Sequence, residues 1–388
     1  MIPFNKPHFT GNELKYIADA MARGKTAGDG YYTEACEDFL CKRYGFKKTF
    51  LTTSCTDALE LAALLINIQQ GDEVIMPSYT FVSMANAFLL RGAKIIFADS
   101  NAYNPNVDAD TIEELISPRT KAIVVVHYAG IACDMYRLKQ ITDKYNIYLI
   151  EDAAQAIDGY YQDRPLGSIG HLAAFSFHET KNISCGEGGL LVINDERFFK
   201  RAEIIREKGT NRSAFFRGEV DKYSWVDVGS SFLPSDLLAA FLYAQLEQMD
   251  IIQKRRIAIW DQYYDGLAGL EKSGKIRLPY LPAFAVNNGH LFYIICKDLE
   301  TRTRFISYMK ANKVQTPFHY VALHDSPFYN DKHDGRPLPW VHTYQDCLVR
   351  LPLFYDLESA EIEKIIQTTQ QFFLNKTGPE QVDLVNNP

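Results

Sequence analysis

Between Lys48 and Asn194 the chain alternates short runs rich in β-branched and aromatic residues with stretches of helical periodicity, the signature of repeated β-α-β units. The runs predict strands at Thr49–Leu51, Glu73–Met76, Lys94–Ala98, Ala122–Val126, Asn146–Ile150, Ala173–Phe177 and Leu190–Ile193. Strands that follow one another through helices pair in parallel, and a sheet of seven needs helices on both of its faces. The fold class is therefore α/β, with a mostly parallel seven-stranded sheet between helices.

The flanking sequence predicts how the chain divides. Thr56–Asn67 reads as an amphipathic helix opened by Thr53-Ser-Cys-Thr56, whose hydroxyls suit a helix start. Free backbone N–H groups at such an end suit an anion. An aromatic, loop-like region follows Lys208–Arg212 as far as Leu233, and Asp236–Leu267 then reads as a long helical stretch leading out of the large domain. A strand at Leu291–Cys296 and helices near Thr301–Asn312 and Leu357–Phe373 predict a smaller α+β domain. The division is a large domain over 1–250 that includes the N-terminal segment, a small domain over 251–376, and a polar, frayed tail over 377–388.

Composition limits the classes of partner. With 388 residues, 47% of them hydrophobic, the chain can bury a sizeable core. Its net charge of −7 is spread without a long block of one sign, which argues against a nucleic-acid or membrane surface and for small-molecule partners. The seven cysteines include no Cys-x-x-Cys pair, so free thiols in a reducing compartment are expected and no metal site is. Met1-Ile-Pro-Phe-Asn-Lys6 carries no basic segment followed by an apolar core, and no apolar run approaches membrane-spanning length. The expected location is the cytoplasm.

The chemistry is concentrated at predicted strand ends. Lys181 lies just beyond a strand, in Ser176-Phe-His-Glu-Thr-Lys-Asn182, and Gly186-Glu-Gly-Gly189 follows it; Asp152 ends another strand. Pyridoxal phosphate needs an amine for its aldehyde, a carboxylate for its pyridine nitrogen, a cradle for its phosphate and a flat group against its ring. Ser54, Cys55 and Thr56 at the helix start, with Ser176, suit the phosphate, and Tyr79 or Phe81 suits the ring. Each residue alone has an ordinary structural explanation. Their order after successive strands of one sheet is what points to a cofactor, since open α/β sheets place their sites at the carboxyl ends of strands.

Phe175–Asn182 with Gly186–Gly189, Glu151–Ala156 and Pro77–Val82 resemble the nucleotide-sugar aminotransferases of the DegT/DnrJ/EryC1/StrS family, and the resemblance runs from Ile2 to about Phe373. It implies fold type I, pyridoxal 5′-phosphate, and a homodimer with shared active sites. It makes Lys181 the Schiff-base lysine and proton shuttle, Asp152 the pyridine-nitrogen partner and Phe81 the stacking residue. Gln155 falls on the 3′-oxygen side of the cofactor, and Ser54, Cys55, Thr56 and Ser176 fall on its phosphate.

Within the family, His127–Gly130, the His178-Glu-Thr-Lys-Asn182 form of the lysine motif, Glu203–Arg212 and Phe215–Gly218 are similar to members that aminate the C4 ketone of dTDP-4-dehydro-6-deoxy-glucose, with glutamate as donor. Those members serve surface polysaccharides such as enterobacterial common antigen or O-antigen. Where many members carry an Asn and an Arg in a Gly-Tyr-Asn-Tyr-Arg stretch, the partner subunit's Asn reaching the phosphate, this chain has Ser231 and Leu233. The resemblance carries Ser231 over as a phosphate donor. It places His319, Tyr320 and His324 where the small domain approaches the sugar nucleotide, although His324 could equally pack a loop. Tyr128 and His178 are further candidates that could equally pack beneath the cofactor.

Three rival readings stand beside this one. A C3-aminotransferase differs only in which ketone it receives. A dehydratase of the same family typically has His in place of the lysine, so Lys181 argues against it. A non-catalytic pyridoxal-phosphate-binding regulator would not need lysine, acid and phosphate loop together, and no Gly-x-Gly-x-x-Gly follows any predicted strand to suggest a plain dinucleotide binder.

Overall fold

All seven expected strands form, and they form one sheet. In a computed structural model that describes residues 1–374, the strands are β1 Lys48–Thr52, β2 Glu73–Pro77, β3 Lys94–Ala98, β4 Thr120–Val126, β5 Tyr148–Asp152, β6 Leu172–Ser176 and β7 Gly189–Ile193. Their order across the sheet is β1-β7-β6-β5-β4-β2-β3. Only β7 runs against its neighbours, with Gly189 opposite both Thr52 and Ser176. Thr52, Asp152, Ser176 and Gly189 therefore share one edge of the sheet.

Helices cover both faces, as strands buried on both sides require. One face carries the helices Cys55–Leu65 and Val82–Leu89, whose Leu59, Ala62, Met84 and Phe88 pack on Val74, Val124 and Ile150. The other carries Tyr31–Tyr44, Met135–Tyr145 and Asp236–Glu247, with Leu40, Leu138 and Leu242 against Ile123, Leu149 and Val192. Fully burying an aliphatic side chain of this size contributes about 1.5–3 kcal/mol, so these two layers dominate the stability of the sheet.

A third core lies beyond the sheet. The strands β8 Phe292–Ile295 and β9 Leu348–Leu351 pair antiparallel, and the helices Leu299–Ala311 and Ser359–Leu374 close over them with Ile259, Trp260 and Tyr263. The α+β character expected of the second domain is present. The expected long helix is two helices, Asp236–Glu247 and Met249–Lys272, separated at Gln248. The second runs without a break through the boundary expected at 250: Met249 and Ile252 sit in a sheet-face core, Ile259 onward in the third.

The first residues also lie elsewhere than expected. Ile2 belongs to the third core, where its N–H donates to Lys313 O (2.8 Å) and its C=O accepts from Gln315 N (3.1 Å). That attachment is tertiary, and no local pattern encodes it. The strand β9, the helix Pro339–Cys347 and a three-stranded ribbon of two-residue strands at 160–161, 164–165 and 285–286 go beyond the sequence expectations. Strands of two residues are too short to show a period.

All seven cysteines are free. Among the described residues no helix is long and apolar enough to cross a membrane. The tail 377–388 lies outside the described residues.

Candidate active site

The shared sheet edge opens on a cavity of about 590 Å³. Its anion end is the start of the helix Cys55–Leu65. Ser54 is extended (φ −158°, ψ 166°) and its Oγ accepts from Asp57 N at 3.1 Å; Ala58 N reaches Ser54 O. Among the described residues this leaves the amides of Cys55 and Thr56 without a protein acceptor, aimed out of the helix where its dipole favours an anion.

The closeness of β7 fixes that turn. A Cβ at Gly189 would lie 2.3 Å from the carbonyl of Ser54 and 2.5 Å from Cys55 N. Only glycine allows the strand to approach the cradle so closely.

Alternation along β5 separates two neighbouring acids. Glu151 turns into the sheet face, where His127 Nε2 lies 2.9 Å away and the amides of Gly167, Ile169 and Gly170 donate to it at 2.7, 2.8 and 2.5 Å. Burial pushes its pKa up, but His127 and the amides outweigh burial and hold Glu151 below the ordinary glutamate value. Asp152 points the other way, into the cavity, with Ala154 N donating at 3.0 Å. Burial raises its pKa, opposed by that single amide and by the charge of Lys181. Glu151 is a satisfied structural acid; Asp152 is a buried acid with capacity for another partner.

Lys181 sits in a tight loop. Phe177 N donates to Gly188 O (2.8 Å), Glu179 N to Gly186 O (2.9 Å) and Lys181 N to His178 O (2.9 Å). Burial presses its amine below the ordinary lysine range, while Cys55 and Asp152 act in the opposite sense. A lowered pKa favours the neutral, nucleophilic amine. Asn182 anchors the loop: its Nδ2 donates to Gln253 Oε1 and Asn288 O, both at 2.9 Å, and its Oδ1 meets His290 Nδ1 at 2.8 Å.

The remaining wall is aromatic and hydrogen-bonded. Phe81, 58% exposed, lies on the cavity at the start of the helix Val82–Leu89, whereas Tyr79 is wholly buried in the core. Gln155 accepts from Ala129 N (2.7 Å) and donates to Tyr320 OH (3.1 Å). Tyr320 stacks on His319 with ring centroids 3.6 Å apart, and His319 Nδ1 meets Tyr128 OH at 2.7 Å. The backbone beneath depends on Gly130 (φ +77°), where a Cβ would lie 1.8 Å from Asn288 Oδ1.

The cavity thus gathers Ser54, Cys55, Thr56 and Ser176 with Phe81, Asp152, Gln155 and Lys181, and it adds His178, His319 and Tyr320. It does not include Tyr128, which is fully buried behind His319. His324 is displaced from its expected place at the substrate. Its Nδ1 meets Ser78 Oγ at 2.7 Å and its ring packs near Phe97 and His333, so a side chain 4% exposed is already occupied. Ser231 is exposed, bridges to Glu207, and does not line the cavity of its own chain. Leu233 packs against Gly28.

Two residues escaped the sequence reading. Asn182 was visible only as part of a motif. Arg350, which lines the cavity from β9, was signalled by a lone charge within the apolar run Cys347-Leu-Val-Arg-Leu-Pro-Leu353. The residues present fit pyridoxal phosphate: a buried amine shares the cavity with a buried acid, a free helix start can take the phosphate, and an exposed ring can take the pyridine face.

The sequence profile of the DegT/DnrJ/EryC1/StrS aminotransferase family matches residues 7–370. The chain belongs to that family. Solved structures agree. The aminotransferase TlmJ from Streptoalloteichus hindustanus superposes with a TM-score of 0.88 at 26% identity, covering 96% of this chain and 99% of the other. The pyridoxamine-phosphate form of the sugar aminotransferase Spr1654 from Streptococcus pneumoniae gives 0.89 at 26%, with coverages of 96% and 99%. DesV of S. venezuelae gives 0.88 at 28%, with the same coverages. The protein is a pyridoxal-phosphate-dependent sugar aminotransferase of this family.

Proposed function

We propose that this aminotransferase acts on dTDP-4-dehydro-6-deoxy-D-glucose, with L-glutamate as donor, giving dTDP-4-amino-4,6-dideoxy-D-galactose and 2-oxoglutarate for surface-polysaccharide synthesis. The observation that carries transamination is the placement of the Lys181 amine, whose pKa burial lowers, and the buried Asp152 carboxyl on one cavity that also holds a free helix start. Pyridoxal phosphate bound there supplies an electron sink and carries the amino group between the two substrates. Lys181 Nζ takes the proton from the donor carbon and returns one to the sugar carbon, acting from one face as base and then acid. The Asp152 carboxylate holds the proton on the pyridine nitrogen. Gln155, fixed by Ala129 N and Tyr320 OH, orients the ring substituent, and the stacked His319–Tyr320 pair faces the sugar.

The choice of C4 rests on the similarity of His127–Gly130, Glu203–Arg212 and Phe215–Gly218 to C4-aminating members. Exposure of Ser231 away from its own cavity supports a homodimer in which a second copy uses it at the neighbouring phosphate. Seven free cysteines support a reducing, cytoplasmic setting.

The test is incubation of the purified protein with cofactor, glutamate and dTDP-4-dehydro-6-deoxy-glucose, with the product read by NMR. The expected product carries an axial amine at C4, formed one-to-one with 2-oxoglutarate. An amine at C3, or no amine, overturns the proposal. Lys181→Ala should lose both the visible cofactor band and turnover.

A further inference from the structure

Two imidazoles converge on one carboxylate where the helical turn Leu323–Asp325 meets the helix Pro339–Cys347. Asp325 lies between them, its Oδ1 3.4 Å from His324 Nε2 and its Oδ2 2.7 Å from His342 Nε2. The two ring centroids are 5.1 Å apart. One nitrogen of each ring and one oxygen of Asp325 all lie within 4.8 Å of one another. None of the three lines the cofactor cavity. A count of cysteine pairs does not register such a group, because histidines 18 positions apart meet only through the packing of the turn on the helix.

Both halves are held from behind. Ser78 Oγ accepts from His324 N at 3.2 Å and lies 2.7 Å from its Nδ1. A proton on Nδ1, donated to Ser78, leaves the lone pair on Nε2 facing Asp325, which is how a metal-binding histidine is oriented and its tautomer fixed. The helix start is held by Asp99, which accepts from Trp340 N at 3.2 Å and from Val341 N at 2.9 Å. His324 is buried, while the side chains of Asp325 and His342 are 46% and 45% exposed, so an ion can enter from solvent. His333, with its ring 4.9 Å from that of His324, spends Nε2 on Arg336 O at 2.9 Å and stands beside the group rather than in it.

An ordinary surface ion pair accounts for Asp325 with His342 alone. It gives no reason for a second, buried imidazole at the other oxygen of the same carboxylate. The donor set is two nitrogens and one oxygen, which suits zinc and its neighbours rather than the oxygen-rich shells of calcium or magnesium. Tetrahedral ligands at zinc distances stand about 3.3 Å apart, so closing from 4.8 Å takes a movement of about 1.5 Å or less.

We infer that His324, Asp325 and His342 form a binding site for a divalent transition ion of the zinc type, with water completing the coordination. Ser78 is its positioning residue. The site is independent of which sugar carbon the enzyme aminates.

The experiment adds zinc chloride to the pyridoxal-phosphate-loaded protein after dialysis against a chelator, with unbound cofactor removed, and counts bound metal by equilibrium dialysis. One zinc per chain is expected, and X-ray absorption at the zinc edge should show nitrogen and oxygen neighbours only, at about 2.0–2.2 Å. His342→Ala and Asp325→Asn, both at half-exposed positions, should each weaken zinc by more than about 100-fold, and Ser78→Ala, which removes only the group orienting His324, by roughly 10- to 100-fold. The circular dichroism and visible cofactor band of His342→Ala should match those of the wild type, which separates loss of a ligand from loss of the fold. Absence of bound zinc in the wild type would overturn the site. So would unchanged affinity in His342→Ala and Asp325→Asn, or a sulfur neighbour at about 2.3 Å, which would put the ion on one of the free cysteines.

Discussion

Gly189→Ala tests the phosphate cradle through a residue that touches no ligand. The added Cβ would lie 2.3 Å from the Ser54 carbonyl, against a floor of 3.0 Å for real contacts, so one of the two backbones must retreat by about 0.7 Å. Both are held: Gly189 is paired in register with Thr52 and Ser176, and Thr53 N is tied to Phe232 O at 3.1 Å. The Thr53–Cys55 turn, held by single local hydrogen bonds and not by a strand ladder on both sides, is the part that yields. Overpacking of this kind costs about 1–3 kcal/mol of stability. A retreat of that size stretches a charge-assisted N–H···O bond from about 2.9 Å to about 3.6 Å, beyond hydrogen-bond range. Losing one such bond costs roughly 1.5–3 kcal/mol, which is about a 10- to 100-fold rise in the dissociation constant for pyridoxal phosphate. The assay is spectrophotometric titration of the apoprotein with pyridoxal phosphate and, in parallel, with pyridoxal, which has no phosphate. Only the phosphorylated ligand should weaken. Equal weakening of both, or unchanged affinity for pyridoxal phosphate in a destabilised protein, would refute the assignment of the cradle.

Asp152→Asn should cut turnover at least a hundredfold and weaken cofactor retention, because a neutral amide no longer favours a protonated pyridine nitrogen; steady-state rates and cofactor content after dialysis check it. The pH dependence of cofactor uptake follows from Lys181. Only the neutral amine attacks the aldehyde, so the rate should climb with pH and level off below the range of an exposed lysine, since burial lowers this pKa. In Asp152→Asn the plateau should begin at still lower pH, because the carboxylate that favours the ammonium form is gone; stopped-flow absorbance across pH checks both. Asn182→Ala removes three buried hydrogen bonds of 2.8–2.9 Å and should cost about 2–4 kcal/mol in urea unfolding of the apoprotein. It should also slow turnover, as the loop carrying Lys181 loosens from Gln253 and His290.

What the sequence determined by itself was local and periodic. Seven apolar runs of strand length separated by helical stretches admit little but a helix-covered sheet, and their ends carry Ser54, Asp152, Ser176 and Lys181 because β-strand direction decides which residues reach the common edge. The two-residue period of a strand also separates Glu151 from Asp152, though which of them faces the cavity shows only once the sheet is built. What only the tertiary structure decided depends on residues far apart in the chain. Ile2 pairs with Lys313 and Gln315, His324 turns to Ser78 rather than to the cavity, and Arg350 meets Lys181 across the join between the sheet and the third core. No periodicity encodes such meetings, because each is set by how two separately folded layers pack. For the same reason, an arginine that reads as a stray charge in an apolar strand comes to line the same recess as Lys181.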